Sequence, residues 1–123
     1  TYHEIYPEIL YPIINDKFSL FEIGIDRGKS VNLWCDYLKN ATIYGMDITQ
    51  EWNHNRGKVF KGDQNNINDL NMVISKINKC KIIIDDGSHN PNHQIKTFYH
   101  LFSNLLEDGG YYILGSRIMP IRV

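Results

Sequence analysis

The stretch "IIIDDGSHNPNHQIKTFYHLFSNLLEDGGYYIL", residues 82–114, decides the fold. It opens on three isoleucines, Ile82 to Ile84, and closes on a second short apolar run over 110–114. Short, mostly apolar runs of this kind are what strands buried on both faces of a parallel sheet require. The residues between them carry a helical period. Asn90 suits an N-cap, Pro91 suits the first helical position, and Ile95, Phe98, Phe102 and Leu105 recur at spacings of three and four until Gly109-Gly110 ends the pattern. Strand, helix and strand in that order predict a right-handed crossover between parallel neighbours.

The same alternation extends outward along the chain. Three further strands complete an α/β reading: "SLFEIG" (19–24), "ATIYGMD" (41–47) and "KVFKG" (58–62) lie upstream of "KIIID" (81–85) as the fourth and "GYYIL" (110–114) as the fifth. A helix starting near Ser30 places Val31, Trp34, Cys35 and Leu38 on one face. A second, over roughly 66–78, aligns Ile67, Leu70, Ile74 and Ile77. "QEWNHNRG" (50–57) has no period and reads as a loop, and residues 1–17 form an aromatic-rich lead-in. The expectation is one domain over 1–123: a Rossmann-like, doubly wound parallel sheet in the order 3-2-1-4-5, with a ligand crevice at the C-terminal strand ends.

Composition narrows the classes. The 123 residues carry a formal charge of −1, which gives no basic field for a nucleic-acid backbone. No apolar run reaches the ~18 residues that span a bilayer. Neither nucleic acid nor membrane is expected as a partner, and Cys35 and Cys80, which form no CxxC pair, fit a reducing cytoplasm. The chain begins at Thr1 without methionine, which reads as a processed or cut beginning.

The topology places the chemistry. Asp85, Asp86 and His89 follow the fourth strand and so face the crevice. After the first strand, "FEIGIDRGKS" (21–30) makes a glycine turn framed by Gly24 and Gly28, where a ligand can approach the backbone. The dinucleotide pattern GxGxxG fails there, because Ile25-Asp26-Arg27 fill the interval. Asp47 ends the second strand 23 positions after Gly24, where an acidic side chain accepts from both hydroxyls of a ribose. Asp63 and Gln64 end the third, at the place of an adenine edge. Asp63 fits equally well as a turn former. His89 beside two carboxylates reads as functional, whereas His93 and His100 read as solvent-facing or packing residues of the following helix.

These residues carry a resemblance. "FEIGIDRGKSVNLWCDYLKNATIYGMDI" (21–48), "FKGDQ" (60–64) and the opening stretch together resemble class I S-adenosylmethionine-dependent methyltransferases, and more narrowly the metal-dependent sugar O-methyltransferases of macrolide biosynthesis and cephalosporin-hydroxylase-like proteins. The resemblance implies methyl transfer from S-adenosylmethionine to a hydroxyl of a sugar or glycosylated small molecule. It implies that Glu22, Gly24 and the turn to Gly28 hold the methionine part, Asp47 the ribose, and Asp63 with Gln64 the adenine. It implies that Asp85 shapes the turn beside the cofactor, that His89 is the general base and that Asp86 ligates Mg2+.

The chain departs from that family where the fifth strand ends. An acidic pair that completes the metal site there is replaced by Gly115-Ser116, so a magnesium ion on Asp86 alone would be weakly held. The family's last two strands are also expected to be missing, with 115–123 an atypical tail. A fifth strand without a neighbour predicts pairing through its edge into a homo-oligomer, or a truncated product. The alternative function is a catalytically impaired cofactor-binding or interaction module that keeps only the crevice. A nicotinamide-dependent reductase is disfavoured by the failed glycine pattern and the absence of Tyr-x-x-x-Lys.

Overall fold

A computed structural model describes residues 8–24, 29–115 and 117–119. After a short 3-10 turn at Tyr11–Ile13, the elements are β1 (Ser19–Ile23), α1 (Lys29–Tyr37), β2 (Thr42–Asp47), β3 (Trp52–His54), β4 (Gly57–Lys61), α2 (Ile67–Lys76), β5 (Cys80–Asp85), α3 (Pro91–Asn104), β6 (Leu106–Leu114) and β7 (Arg117–Met119). They build one seven-stranded sheet in the order β3-β4-β2-β1-β5-β6-β7. The central five, β4-β2-β1-β5-β6, are parallel throughout and reproduce the order 3-2-1-4-5 expected from the sequence.

The apolar strands bury both faces. Leu20, Ile43, Ile82, Ile84 and Ile113 pack under α1 with Val31, Trp34 and Leu38. Phe21, Ile83 and Tyr112 point the other way, toward Leu70 and Val73 of α2 and Leu101 of α3. Alternation along a strand produces this division, since successive side chains leave on opposite faces. Caps fix the helix starts: the side chains of Asn66 and Asn90 accept from the backbone N–H groups of Asn68 and Asn92.

Several expectations need correction. The segment read as a loop contains β3, which runs antiparallel to β4 and pairs Trp52 with Val59. Three residues are too few to show a period. The fifth predicted strand is not an open edge, because β7 pairs antiparallel with β6 through Ile113 and Ile118. That strand also starts earlier, at Leu106, and α3 ends at Asn104 rather than at the glycines. Ile67 and Ile95, assigned to the buried stripes, are 51% and 55% exposed. In α3 the fully buried positions are Thr97 and Leu101. Among the described residues no helix is long and apolar enough to cross a membrane.

Candidate active site at the strand tips

The sheet's hydrogen bonding continues one residue past four of the five central strands. Gly24 N–H donates to Met46 O, Asp86 N–H to Ile23 O, Gly62 N–H to Asp47 O, and Gly115 N–H to Asp85 O. These bonds draw four strand ends into a common floor. Gly24 adopts φ +81°, and a Cβ there would collide with the Asp86 carbonyl, so the tips of β1 and β5 close up only because residue 24 is glycine. Above this floor lies a cleft of about 650 Å³.

Gly24, Asp47, Asp63, Gln64, Asp86 and His89 all line that cleft, so six predicted site residues meet in one place. Gly28 lies outside the described residues. Glu22 is fully buried within β1, where it accepts from Trp34 Nε1 of α1 at 3.2 Å, and does not line the cleft. Asp85 lies just below the lining.

The two sides of the cleft are built differently. On the β2 side, Asp47 Oδ2 accepts from Thr49 N–H, Thr49 Oγ1 and Gln50 N–H at 2.8–2.9 Å, a turn made within four residues. No bond from a described residue engages its Oδ1. Asp63 Oδ1 accepts from Asn65 N–H at 2.9 Å, so the turn-forming reading of Asp63 holds even as it lines the cleft. Ile48, 63% exposed, adds an apolar surface beside Asp47.

On the β5 side the bonds are long-range. Gln64 donates from Nε2 to Asp85 Oδ2 and to Thr97 Oγ1, both at 3.1 Å, and accepts at Oε1 from Ser88 N–H at 2.7 Å. An adenine contact by this amide would have to displace bonds it already makes. Asp85 also accepts from Gly87 N–H at 3.2 Å. Burial nevertheless pushes the Asp85 carboxyl above its ordinary range, with the bonds from Gly87 and Gln64 opposing the shift and neighbouring Asp86 adding to it. His89 is exposed, and no hydrogen bond to another described residue holds its ring.

One lining residue was misread from sequence. His93, expected to face solvent or pack, lines the cleft with its Nδ1 2.9 Å from Ser88 Oγ. Ser88 Oγ also accepts from Asn90 N–H at 3.1 Å, and the direction of the Ser88–His93 bond follows the tautomer of the imidazole. The signal was available: with Pro91 opening α3, residue 93 falls in the first turn, beside the β5 tip.

For a metal ion the donor set is thin. No group of three potential His, Cys, Asp or Glu ligands gathers among the described residues. Gly115 ends β6 where the resemblance implies a carboxylate, and Ser116 lies outside the described residues. These residues do not make a magnesium site of the kind the resemblance implies.

No protein-family model matches the chain. Among curated proteins it is similar to the 8-demethyl-8-alpha-L-rhamnosyl tetracenomycin-C 2'-O-methyltransferase of Streptomyces olivaceus, 29% identical over 123 aligned residues that cover 93% of this chain and 32% of that protein. It is also 29% identical to the demethylmacrocin O-methyltransferase of Streptomyces fradiae, over 81% of this chain and 27% of that one. Among solved structures it matches the MycE methyltransferase of the mycinamycin pathway, in complex with Mg, S-adenosylhomocysteine (SAH) and mycinamycin VI. The TM-score is 0.82 at 27% identity, covering 92% of this chain and 33% of that one. The chain thus spans about a third of the length of these relatives. The curated relatives it matches are O-methyltransferases, and its fold resembles that of a Rossmann-like methyltransferase.

Proposed function

We propose that this chain binds S-adenosylmethionine in the strand-tip cleft and serves methyl transfer to a hydroxyl of a sugar on a glycosylated small molecule. The observation that carries the reading is the convergence of Gly24, Asp47 and His89 on one cleft, in a fold shared with sugar O-methyltransferases. Asp47 accepts from the ribose hydroxyls through the oxygen its own turn does not use. Gly24 lets the methionine part lie close to the backbone. Asp47, Asp63 and Asp86 give the cleft an acidic lining that suits a sulfonium cation.

In the transfer itself, the acceptor oxygen attacks the methyl carbon in line with the breaking S–CH3 bond. His89 takes the hydroxyl proton, S-adenosylhomocysteine leaves and the methyl ether remains. An imidazole suits this step, since its neutral form carries a ring-nitrogen lone pair that accepts the hydroxyl proton. Residues 1–123 act as a single cofactor-binding unit in this reading, in a cytoplasm that keeps the free thiols Cys35 and Cys80 reduced.

Calorimetry with SAH tests the binding half: heat is expected for the parent, and a loss of about tenfold or more in affinity for Asp47→Ala. Absence of heat in both proteins would end the proposal. Radiolabelled methyl transfer to rhamnosylated acceptors, lost in His89→Ala, tests the other half.

One observation favours a second reading. The β6 tip presents Gly115 in place of the acidic pair, which fits a module that retains the cofactor crevice without turnover. Binding of the cofactor with transfer appearing only in the Gly115→Glu/Ser116→Asp double variant would select that reading.

A further inference from the structure

We infer that Gln64 is the positioning residue of this cleft: its side-chain amide locks the turn after β5 and sets the point from which His89 projects. The inference rests on the methyl-transfer reading for what His89 does; the lock itself is visible in the geometry. Gln64 is 8% exposed, and both ends of its amide are engaged with residues far away in sequence. The carbonyl faces a group that can only donate, Ser88 N–H. The NH2 faces the Asp85 carboxylate and the Thr97 hydroxyl, whose own proton goes to His93 O at 2.7 Å. Turning the amide over would set acceptor against carboxylate and donor against donor, so its orientation is unambiguous.

Gly87 completes the fit. A Cβ at that position would collide with Gln64 Oε1, so the close approach of the turn to the amide depends on glycine there. Ser88 is then held at each of its polar atoms. Its N–H is bound by Gln64, its carbonyl accepts from Gln94 Nε2 at 2.9 Å, and its hydroxyl sits between Asn90 N–H and His93 Nδ1. His89 comes next, exposed and unbonded among the described residues. The result is a free imidazole on a fixed stem.

Such an arrangement fits a general base. A base that must meet a substrate proton gains from a preset origin, because a misplacement of ~1 Å can cost about a hundredfold in rate. Gln64 ties Ser88, the residue preceding His89, to the buried Asp85 and Thr97, so the point from which the imidazole projects is anchored in the core.

Amide hydrogen exchange and relaxation by NMR on the full chain test the lock. Gln64→Met keeps the length and loses both polar ends. Ser88 N–H is expected to exchange about tenfold faster or more, as loss of one buried hydrogen bond implies. The backbone order parameter of His89 should fall below about 0.6–0.7, while exchange at Ile83 in the core stays within twofold. Gln64→Glu paired with Asp85→Asn retains an acceptor for Ser88 N–H and again sets an amide NH2 against a buried carboxyl, so protection of the Ser88 amide is expected to return to within about threefold of the parent. Unchanged Ser88 and His89 in Gln64→Met, or equal acceleration at Ser88 and Ile83 in both variants, would overturn the inference. SAH calorimetry on the same samples separates the two ideas: a parent that binds none removes the methyl-transfer reading, whereas a parent that binds but shows no loosening in Gln64→Met removes the lock alone.

Discussion

The two walls of the cleft reach order by opposite routes. At the β2 tip, Asp47 closes its own turn with residues two and three positions ahead. At the β5 tip, Ser88 is held by Gln64, 24 positions earlier, and Asp85 by the same side chain. A local turn forms wherever its sequence occurs, whereas the β5 turn exists only once the β4 loop, β5 and α3 have assembled. The wall that contacts a ribose in our proposal is thus nearly autonomous, and the wall that carries the base is cooperative with the fold.

The largest way to break this contrast is at the contact that joins the walls. Gly24→Ala puts a Cβ into the Asp86 carbonyl from a left-handed backbone, and should cost about 3 kcal/mol or more in denaturant unfolding. A loss under ~1 kcal/mol would mean that the tips are not in contact.

Asp47→Ala should be milder. It removes three local bonds and is expected to cost about 1–2 kcal/mol, with Ser88 exchange unaffected because the far wall does not depend on that turn. Faster Ser88 exchange in this variant would show that the walls are coupled after all.

The opposite end of β5 offers a pH test. Burial pushes the Cys80 thiol from 9.0 up to about 12, with Glu107 adding to the shift. The unfolded chain therefore releases this proton first as pH rises. The contribution is intact below pH 9 and declines above it, by at most about 1.4 kcal/mol per pH unit. Unfolding free energies between pH 8 and 10 should show this decline, and Cys80→Ala should flatten it. In the native protein, iodoacetamide should label Cys35, which is partly exposed, well before Cys80.

The smallest effect concerns Tyr112. Its hydroxyl is buried and has no hydrogen-bond partner among the described residues, while its ring meets Phe98 edge-on at 4.9 Å between centroids. Tyr112→Phe keeps the ring and removes an unsatisfied group, so stability should be unchanged or rise by up to about 1 kcal/mol. A loss above that would reveal an unseen partner for the hydroxyl.

The same contrast explains what could be read from the sequence. The five parallel strands were legible because burial on both faces demands apolar runs, and "KIIID" permits little else. Asp47, Gly24 and His89 were legible because strand order sends strand ends to one crevice. The face of α3 was not. Its buried residue at the cleft end is Thr97, polar by composition, and it is buried because Gln64 supplies a partner from another element. An apolar-stripe reading therefore chose Ile95. The bonds of Gln64 were hidden for the same reason, since nothing within the chain around it announces Asp85, Ser88 or Thr97. The bond from Trp34 to Glu22 was hidden in the same way, because the two residues stand on different elements. β3 and β7 span three residues each, below the length at which alternation can register.

The bonds that run on past the strands, from Gly24 to Met46 and from Asp86 to Ile23, have a consequence for how such a pocket can change. They make the base of the pocket out of main chain, which every amino acid supplies alike. Side chains rising from that base can then be exchanged over generations without tilting it. What stands on the platform can be altered while the platform itself stays put.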